Sequence, residues 1–180
     1  NITAKADWST PAYVLIYVNF CDTKLLRLRG VAAYSSNRVR LVTGGDSQNG
    51  SFWFTKALTK NKSFQLKVTV NGYTAGYGLV LHSTTSGTSQ WAGGYADAGT
   101  PKLKLSIVAH IVSTTLKISA DGAILGTKTG LMSSSLKSSR MTIWLDYDHG
   151  GTKLSFYIST SSTNKPSSPS LTVTRNVWKT

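Results

Sequence analysis

The chain has 180 residues, enough for one domain with a sizeable core, and 20 Lys and Arg against 7 acidic residues give a formal net charge of +13. All seven acids are Asp, and the absence of Glu excludes the Glu-dependent sites of most glycosidases, HExxH metalloproteases and EF-hand loops. The single cysteine, Cys21, excludes an internal disulfide and a Cys-based zinc site. A hydrophobic fraction of 40% is too high for a disordered chain. Composition therefore indicates one folded, basic domain over residues 1–180 that is poorly equipped for acid–base chemistry, and we expect no enzymatic activity and no cofactor.

Membrane and targeting signals are absent or modest. The longest apolar runs, such as Ala12–Val18, are far shorter than the ~20 residues of a membrane-spanning helix. The first residues are polar, so no signal peptide is visible. N-x-S/T sequons predict glycosylation at Asn1, Asn49 and Asn61. We expect a mature, secreted (extracellular) protein, the alternative being a cytosolic protein with accidental sequons.

Short segments rich in Val, Ile, Thr and aromatic residues recur along the whole chain, bounded by Gly, Asn, Ser or Asp. This pattern is typical of strands, and no segment has a convincing helical pattern. Two segments, Phe64–Val70 and Lys153–Ser159, alternate apolar and polar residues as a strand with one buried face does. In chain order, the predicted strands are Tyr13–Phe20, Leu25–Leu28, Arg38–Val42, Ser51–Phe54, Phe64–Val70, Tyr77–His82, Lys102–Val112, Thr115–Ser119, Arg140–Asp146, Lys153–Ser159 and Ser170–Thr174.

Turn signals join several of these strands. Asn71-Gly72 and Asp121-Gly122 predict tight hairpins, and His149-Gly150-Gly151 predicts a further turn. About eleven half-buried strands without helices indicate an all-β fold, either a two-sheet sandwich or a barrel.

Several segments also match, in order, the motifs of one family. Leu26-Arg27-Leu28-Arg29-Gly30-Val31-Ala32 resembles an L-x-L-x-G-x-A strand, and Gly76-Tyr77-Gly78-Leu79-Val80-Leu81 resembles a G-D-G-x-A-F-x-L strand. Gly93-Gly94-Tyr95 resembles a G-G-Y-L-G loop. These are motifs of the legume-type (L-type) lectins. The later segments, Met141–Asp148 and Lys165–Leu171, are closest to the lectin domains of plant receptor kinases. The resemblance implies a concanavalin A-like jelly-roll sandwich and a sugar site.

At the implied sugar site this sequence departs from the family. Tyr77 stands where the resemblance places the Asp that binds sugar hydroxyls, and a phenol supplies no carboxylate acceptor. Val108 and His110 stand where the family has a Glu-x-Asp pair that holds a transition metal and calcium. Only Ile111–Thr114 lies between His110 and the next predicted strand, so the loop that carries further ligands in the family is missing. Calcium requires six to eight oxygen ligands, and these positions do not supply them. We therefore expect that any ligand binding by this protein does not depend on a metal ion.

One part of the implied site is retained as an aromatic group. Gly94 matches the glycine whose backbone N–H contacts the sugar, and Trp91 and Tyr95 flank it. Together with Tyr77 they form a candidate metal-free pocket, because aromatic faces stack on sugar rings. The alternative is that these aromatic residues only pack a long loop over the sandwich.

Other polar residues favour structural roles. Asp146 and Asp148 share one strand face, but the family carries the same D-Y-D pattern before a hairpin. His82, His110 and His149 are widely separated in sequence, and a lone imidazole such as His110 on an apolar strand is usually a core residue.

Basic residues alternate on several predicted strands, so that pairs of them share a face. If the strands are neighbours, the pairs form a cationic stripe that could hold an acidic polysaccharide, an anionic membrane surface or a nucleic acid. No nucleic-acid-binding module pattern is present, so nucleic acid is not expected. The alternative is a solvated face that confers solubility only. The pairs are Arg27 with Arg29, Arg38 with Arg40, and Lys102 with Lys104.

The sequence thus predicts a secreted, lectin-like binding module for a glycan, most consistent with acidic polysaccharide. The alternative is a basic defence or protein-interaction module that binds no sugar. Asn1–Pro11 precede the first predicted strand, and we expect no counterpart of the family's further strands, because the sequence reaches Asn176–Thr180 soon after the strand Ser170–Thr174. Either this extension fills the vacated sheet position, or a partner chain, such as a second copy in a homo-oligomer, completes the sheet.

Overall fold

The computed structural model describes residues 2–6, 14–17, 26–35, 38–41, 50–54, 58–59, 61–71, 77–82, 106–112, 114–120, 123–131 and 140–177. Within these ranges the chain forms fourteen β-strands and no helix. The strands are β1 (Ile2–Ala6), β2 (Val14–Tyr17), β3 (Leu26–Gly30), β4 (Ala33–Ser35), β5 (Arg38–Arg40), β6 (Gly50–Phe54), β7 (Phe64–Asn71), β8 (Tyr77–His82), β9 (Ser106–Val112), β10 (Thr115–Ala120), β11 (Ala123–Lys128), β12 (Arg140–Asp148), β13 (Lys153–Ser159) and β14 (Leu171–Thr174).

The larger sheet has six antiparallel strands in the order β14-β13-β12-β7-β1-β2. Its longest strand, β12, pairs with β13 on one side and with β7 on the other. In register, Leu145 lies opposite Phe156 and Leu66, so three apolar side chains line one face of adjacent strands. The alternation in the sequence puts these residues on the core face and the polar residues between them on the other face.

The smaller sheet has four antiparallel strands in the order β11-β10-β9-β8. Val112 at the end of β9 pairs with Thr115 at the start of β10, so only two residues join these strands. A register shift between Ile118 and Ser119 marks a bulge where β10 pairs with β11. Bulges of this kind bend a strand and increase its twist.

Two two-stranded sheets, β3–β6 and β4–β5, complete the described structure. Leu26 of β3 is buried in the core, and Phe52 and Phe54 of β6 pack against it. Val39 of β5 packs against the same core. Gly30 ends β3 with a φ of 65°, a left-handed conformation that glycine adopts without strain before the chain turns into β4.

A single hydrophobic core joins the two larger sheets. Met141, Leu154 and Phe156 come from the six-stranded sheet, and Ile111 and Leu116 come from the four-stranded sheet. All five are almost completely buried. Two sheets that face each other across one core are a β-sandwich, so the predicted all-β sandwich is confirmed.

The strand prediction was incomplete at three places: β1, β4 and β11. The chain's own β1 lies between β7 and β2, with Thr3 opposite both Lys67 and Ile16, so the extension occupies a position in the six-stranded sheet. A sequence rich in Ala and Lys gave little strand signal there. In β11, Gly126 interrupts the apolar run, but a Cβ at this position would lie 3.0 Å from Val173 Cγ1, so glycine permits close approach of β14.

The predicted turn between β12 and β13 is confirmed, and Asp148 holds it. The Asp148 carboxylate accepts hydrogen bonds from the backbone N–H groups of Gly150 at 3.1 Å and Gly151 at 3.2 Å. Asp146 forms an ion pair with Lys165. Both aspartates thus have structural partners, as the sequence interpretation expected.

Candidate functional site

The predicted aromatic pocket falls largely on undescribed residues. Tyr77 is the first residue of β8 and lies opposite Ile111 of β9 in the sheet register. Trp91, Gly94 and Tyr95 lie outside the described residues. The convergence of these four residues therefore stays a prediction.

The positions that the resemblance assigns to metal ligands lie in the middle of the four-stranded sheet. Val108 pairs with Ser119 and Val80, and His110 pairs with Lys117 and Gly78. His110 is 3% exposed, which confirms that this imidazole is buried. Across the ranges that the structure describes, no group of three or more His, Cys, Asp or Glu side chains lies close enough to hold a metal ion.

The donor chemistry around β9 is unlike that of a calcium site. The segment Ser106–Ala120 contains no Asp or Glu, and its two strands are joined by Ser113 and Thr114 only. Calcium binds hard oxygen ligands, usually with several carboxylates, while valine at position 108 offers no donor at all. These residues do not fit the calcium and transition-metal pair that the resemblance implies.

The β4–β5 hairpin presents the clearest cationic surface. Arg38 and Arg40 are exposed and alternate on one face of β5, while Val39 between them packs toward the core. The Cα atoms of residues two apart in a strand are about 6.5 Å from each other, so the two arginine side chains leave the backbone close together. Their cross-strand partners on β4, Ser35 and Ala33, carry no charge.

The described carboxylates have partners other than these arginines. Of the seven Asp residues the structure describes two, and these bind Lys165 and the β12–β13 turn. In the part of the chain with described positions, no carboxylate forms an ion pair with Arg38 or Arg40. Two like charges on one strand face repel each other, so an anion beside them would be stabilising.

Among the described residues, the Arg27–Arg29 pair lies on a different sheet from this hairpin. Arg27 is exposed on β3 and Arg29 follows two residues later, but β3 pairs with β6 whereas β5 pairs with β4. The two arginine pairs therefore lie on two separate small sheets. Lys102 and Lys104 lie outside the described residues.

Only one of the three sequons falls on described residues. Asn61 is exposed in a turn with a φ of 58°, just before β7. Ser63, the hydroxyl residue of that sequon, accepts a hydrogen bond from the His149 backbone N–H at 2.9 Å. An exposed turn is a surface on which a glycan can be carried. Asn1 and Asn49 lie outside the described residues.

Sequence reasoning missed a row of aromatic and basic residues on the outer face of the six-stranded sheet. We call Lys67, Trp144, Tyr157 and Lys165 the outer-face row. The period-two alternation of β7 and β13 places Lys67 and Tyr157 on that face. No local signal places Lys165, because it lies in a Ser- and Pro-rich loop and reaches the row only through tertiary structure.

A hydrogen-bonded cluster surrounds Tyr147 at one end of the six-stranded sheet. The Tyr147 hydroxyl donates to Asn176 Oδ1 at 3.2 Å and lies 3.4 Å from His149 Nδ1. Its ring packs against Phe64 with 5.4 Å between ring centroids. Burial raises the pKa of the Tyr147 phenol above its ordinary value, and the Asp148 carboxylate raises it further, against the lowering effect of the Val177 backbone N–H.

Comparison with known proteins gives a structural likeness without a sequence match. No protein-family model matches the chain, and no curated protein sequence matches it. Among solved structures it is similar to lectin I-B4 from Griffonia simplicifolia in its metal-free form, with a TM-score of 0.53. The likeness covers 82% of this chain and 78% of the lectin at 13% sequence identity. The fold is therefore that of a legume lectin, a jelly-roll sandwich.

The described residues contain no helix with the length and apolarity needed to cross a membrane.

The raised pKa of Tyr147 predicts a late-titrating tyrosine. Because the folded pKa lies above the unfolded one, the neutral phenol contributes stability that is fully present below about pH 10. This contribution is lost as the pH rises from there through the folded pKa. In an alkaline titration of tyrosinate absorbance, Tyr147→Phe should remove the last phase.

The matched control is Tyr34→Phe, which alters an exposed tyrosine and should leave the last phase in place. A last phase that persists in Tyr147→Phe would show that the buried phenol is not the group responsible.

Proposed function

We propose that this protein is a non-catalytic, lectin-like carbohydrate-binding module that binds acidic polysaccharide without a metal ion. The observation that carries the proposal is the exposed Arg38–Arg40 pair, which lacks a carboxylate partner among the described residues of a legume lectin fold. A sugar chain with regularly spaced carboxylates supplies the missing counter-charges. Guanidinium groups are well matched to carboxylates because they donate two parallel hydrogen bonds.

Several cationic positions would share this attraction. Once one cation has bound a flexible polymer, the other cations meet that polymer at a high effective concentration. Several individually weak ion pairs can therefore give a useful overall affinity. The attraction is also screened by salt, with a Debye length of about 8 Å at physiological ionic strength. The positions we assign to polyanion attraction are Arg27, Arg29, Arg38, Arg40, Lys102 and Lys104.

Local fit to sugar rings is assigned to the aromatic pocket. Tyr77, Trp91 and Tyr95 would offer ring faces to the apolar C–H faces of a sugar, and the Gly94 N–H would donate to an oxygen. A uronate chain has both apolar ring faces and carboxylates, so one ligand class can engage the pocket and the cationic surfaces together.

Metal independence is supported by the chemistry of β9 and β10. The positions of the family's ligand pair hold Val108 and a buried His110, and the connection after them is too short for a ligand-bearing loop. In this proposal, the sugar is bound by hydrogen bonds, stacking and charge.

We also propose that the protein is extracellular and carries a glycan at Asn61. The exposed turn at Asn61 and the sequon Asn61-Lys62-Ser63 support this assignment. A net charge of +13 equally suits the second candidate function, a basic defence or protein-interaction module that acts on anionic surfaces. Glycan binding that survives a chelator separates the two candidates.

Metal addition should not stabilise the protein. We expect calcium and manganese, each added after chelator treatment, to leave Tm unchanged, because no carboxylate cage is available in residues 106–120. Binding of a metal to the folded state alone would raise stability by mass action. Calcium-dependent stabilisation by more than about 1 kcal/mol in thermal unfolding would contradict the assignment of Val108 and His110.

The two proposed surfaces differ in their dependence on salt. In binding to polygalacturonate, Trp91→Ala should weaken affinity by about 1–3 kcal/mol, by analogy with stacking on nucleobases, and should retain the salt slope. Arg38→Glu combined with Arg40→Glu should flatten the slope of log K against log salt, because fewer counterions are released.

The matched control is Lys117→Glu with Lys128→Glu, which makes the same change of net charge at exposed positions of the four-stranded sheet. If this control flattens the slope equally, net charge rather than the hairpin governs binding. If neither test variant alters binding to any glycan on an array, the hairpin and the aromatic pocket are structural, and the second candidate function is favoured.

A further inference from the structure

The outer face of the six-stranded sheet carries a buried tryptophan. Trp144 lies at the middle of β12, opposite Lys67 of β7 and Tyr157 of β13. It is 7% exposed, although it points away from the core formed by Ile143 and Leu145. A side chain on the outer face of a sheet is buried only when another part of the protein covers it, and here the covering element can be identified.

The covering element is the loop Thr160–Pro169 between β13 and β14, which we call the strap. The Lys67 ammonium on β7 donates a hydrogen bond to the Thr163 carbonyl at 3.1 Å, so the strap reaches two strands beyond β13. Lys165 of the strap pairs with the Asp146 carboxylate on β12. The strap is internally ordered, since the Ser162 and Asn164 N–H groups bond to serine hydroxyls.

Both lysines also lie against the aromatic rings beneath the strap. The Lys67 ammonium is 5.5 Å from the centroid of the Trp144 ring, and the Lys165 ammonium is 4.1 Å from that of Tyr157. Across the sheet, the outer-face row thus consists of an ammonium on β7, an indole on β12 and a phenol on β13, followed by the second ammonium from the strap. Cation–π contacts at partly exposed positions are weak, so they can be exchanged for other contacts.

The charges of this face do not balance. Among the side chains that the structure describes in the outer-face row, two ammonium groups face the carboxylate of Asp146, and the bond from Lys67 goes to a carbonyl rather than to an anion. The neighbours of Lys67 on the same face of β7, Gln65 and Thr69, are neutral. Further down the sheet, Lys153 pairs in register with Asp148, whose carboxylate holds the turn. The strap is therefore fastened at Lys67 by a contact that an anionic group can replace.

We propose that this face is a second sugar-binding surface, closed by the strap and opened by the carboxylates of a uronic acid chain. The carboxylates bind Lys67 and Lys165 in place of the Thr163 carbonyl and Asp146. The strap then leaves the sheet, and Trp144 with Tyr157 stacks on the sugar rings. The hydroxyl pairs Thr69–Thr142 and Ser155–Thr172 lie on the same face, with 3.3 and 3.2 Å between their oxygens, and offer polar contacts beside the aromatic rings.

This surface lies on a different sheet from the Arg38–Arg40 hairpin, so the two can be tested apart. The reporter is the accessibility of Trp144 to acrylamide, measured as the difference in fluorescence quenching between the wild-type protein and Trp144→Phe. The probes are an oligogalacturonate and its methyl ester, which has the same rings without charge. Inorganic sulfate supplies charge without rings.

We expect the oligogalacturonate to increase quenching of Trp144 at least twofold, and the ester and sulfate to leave it unchanged. Lys67→Met and Lys165→Met should each weaken the response at least tenfold, whereas Lys67→Arg and the control Lys117→Met should retain it. Arg38→Glu with Arg40→Glu should also retain it, which separates this surface from the proposed function. The proposal is overturned if saturating oligogalacturonate leaves Trp144 as protected as before, or if the ester acts equally well. If a lysine variant fails to fold, the comparison of oligogalacturonate with its methyl ester on the wild-type protein still tests the proposal.

Discussion

The structure depends on one strand, β12, that is buried on both faces. Toward the core it contributes Met141, Leu145 and Tyr147, each no more than 2% exposed. On the opposite face Thr142 and Trp144 are buried as well, at 1% and 7% exposed. Residues 140–147 of β12 pair with β7 and residues 142–148 pair with β13, so most of the strand has a hydrogen-bonded neighbour on both sides. Such a strand fixes the register of the sheet, because a slip by one residue would move every core side chain to the other face.

The position of β12 also determines where the described acidic side chains lie. β12 takes up both described carboxylates: Asp148 holds the turn to β13, and Asp146 holds the strap through Lys165. A chain with 20 basic and 7 acidic residues has few anions to neutralise its other cations. Arg38 and Arg40 on the small β4–β5 hairpin are left exposed beside neutral partners. Within the described residues, the two aspartates stabilise the six-stranded sheet, and the two arginines of the hairpin remain exposed.

Much of this fold could be predicted from the sequence because the central strands carry strong local signals. Phe64–Val70 and Lys153–Ser159 alternate clearly, and the Gly-rich turn after Asp148 marks the hairpin between β12 and β13. The strands β1 and β11 escaped prediction because pairing with β7 and β10, rather than their own composition, forms them. Strand formation that depends on such long-range pairing cannot be recognised from the residues of the strand alone.

The candidate sites were less predictable for a related reason. Alternation alone placed Arg38 and Arg40 on one exposed face, and the structure agrees. It could not show that β3 and β5 belong to separate sheets, since strand order depends on long-range pairing. Nor could it show that Lys165, in the loop after β13, lies over the Tyr157 ring and pairs with Asp146 of β12. A site whose residues come from different segments can be identified only when the tertiary structure is known.

Native-state hydrogen exchange of the β12 amides tests the central claim most directly. If β12 is buried on both faces and paired on both sides, its interior amides should exchange only through global unfolding and should be the most protected in the chain. The amides of the edge strand β11, where Ile124 is 61% exposed, should exchange much faster through local opening. Exchange of β12 at a rate equal to that of β11 would contradict the account, because the strand on which the sheet, the turn and the strap depend would then open on its own.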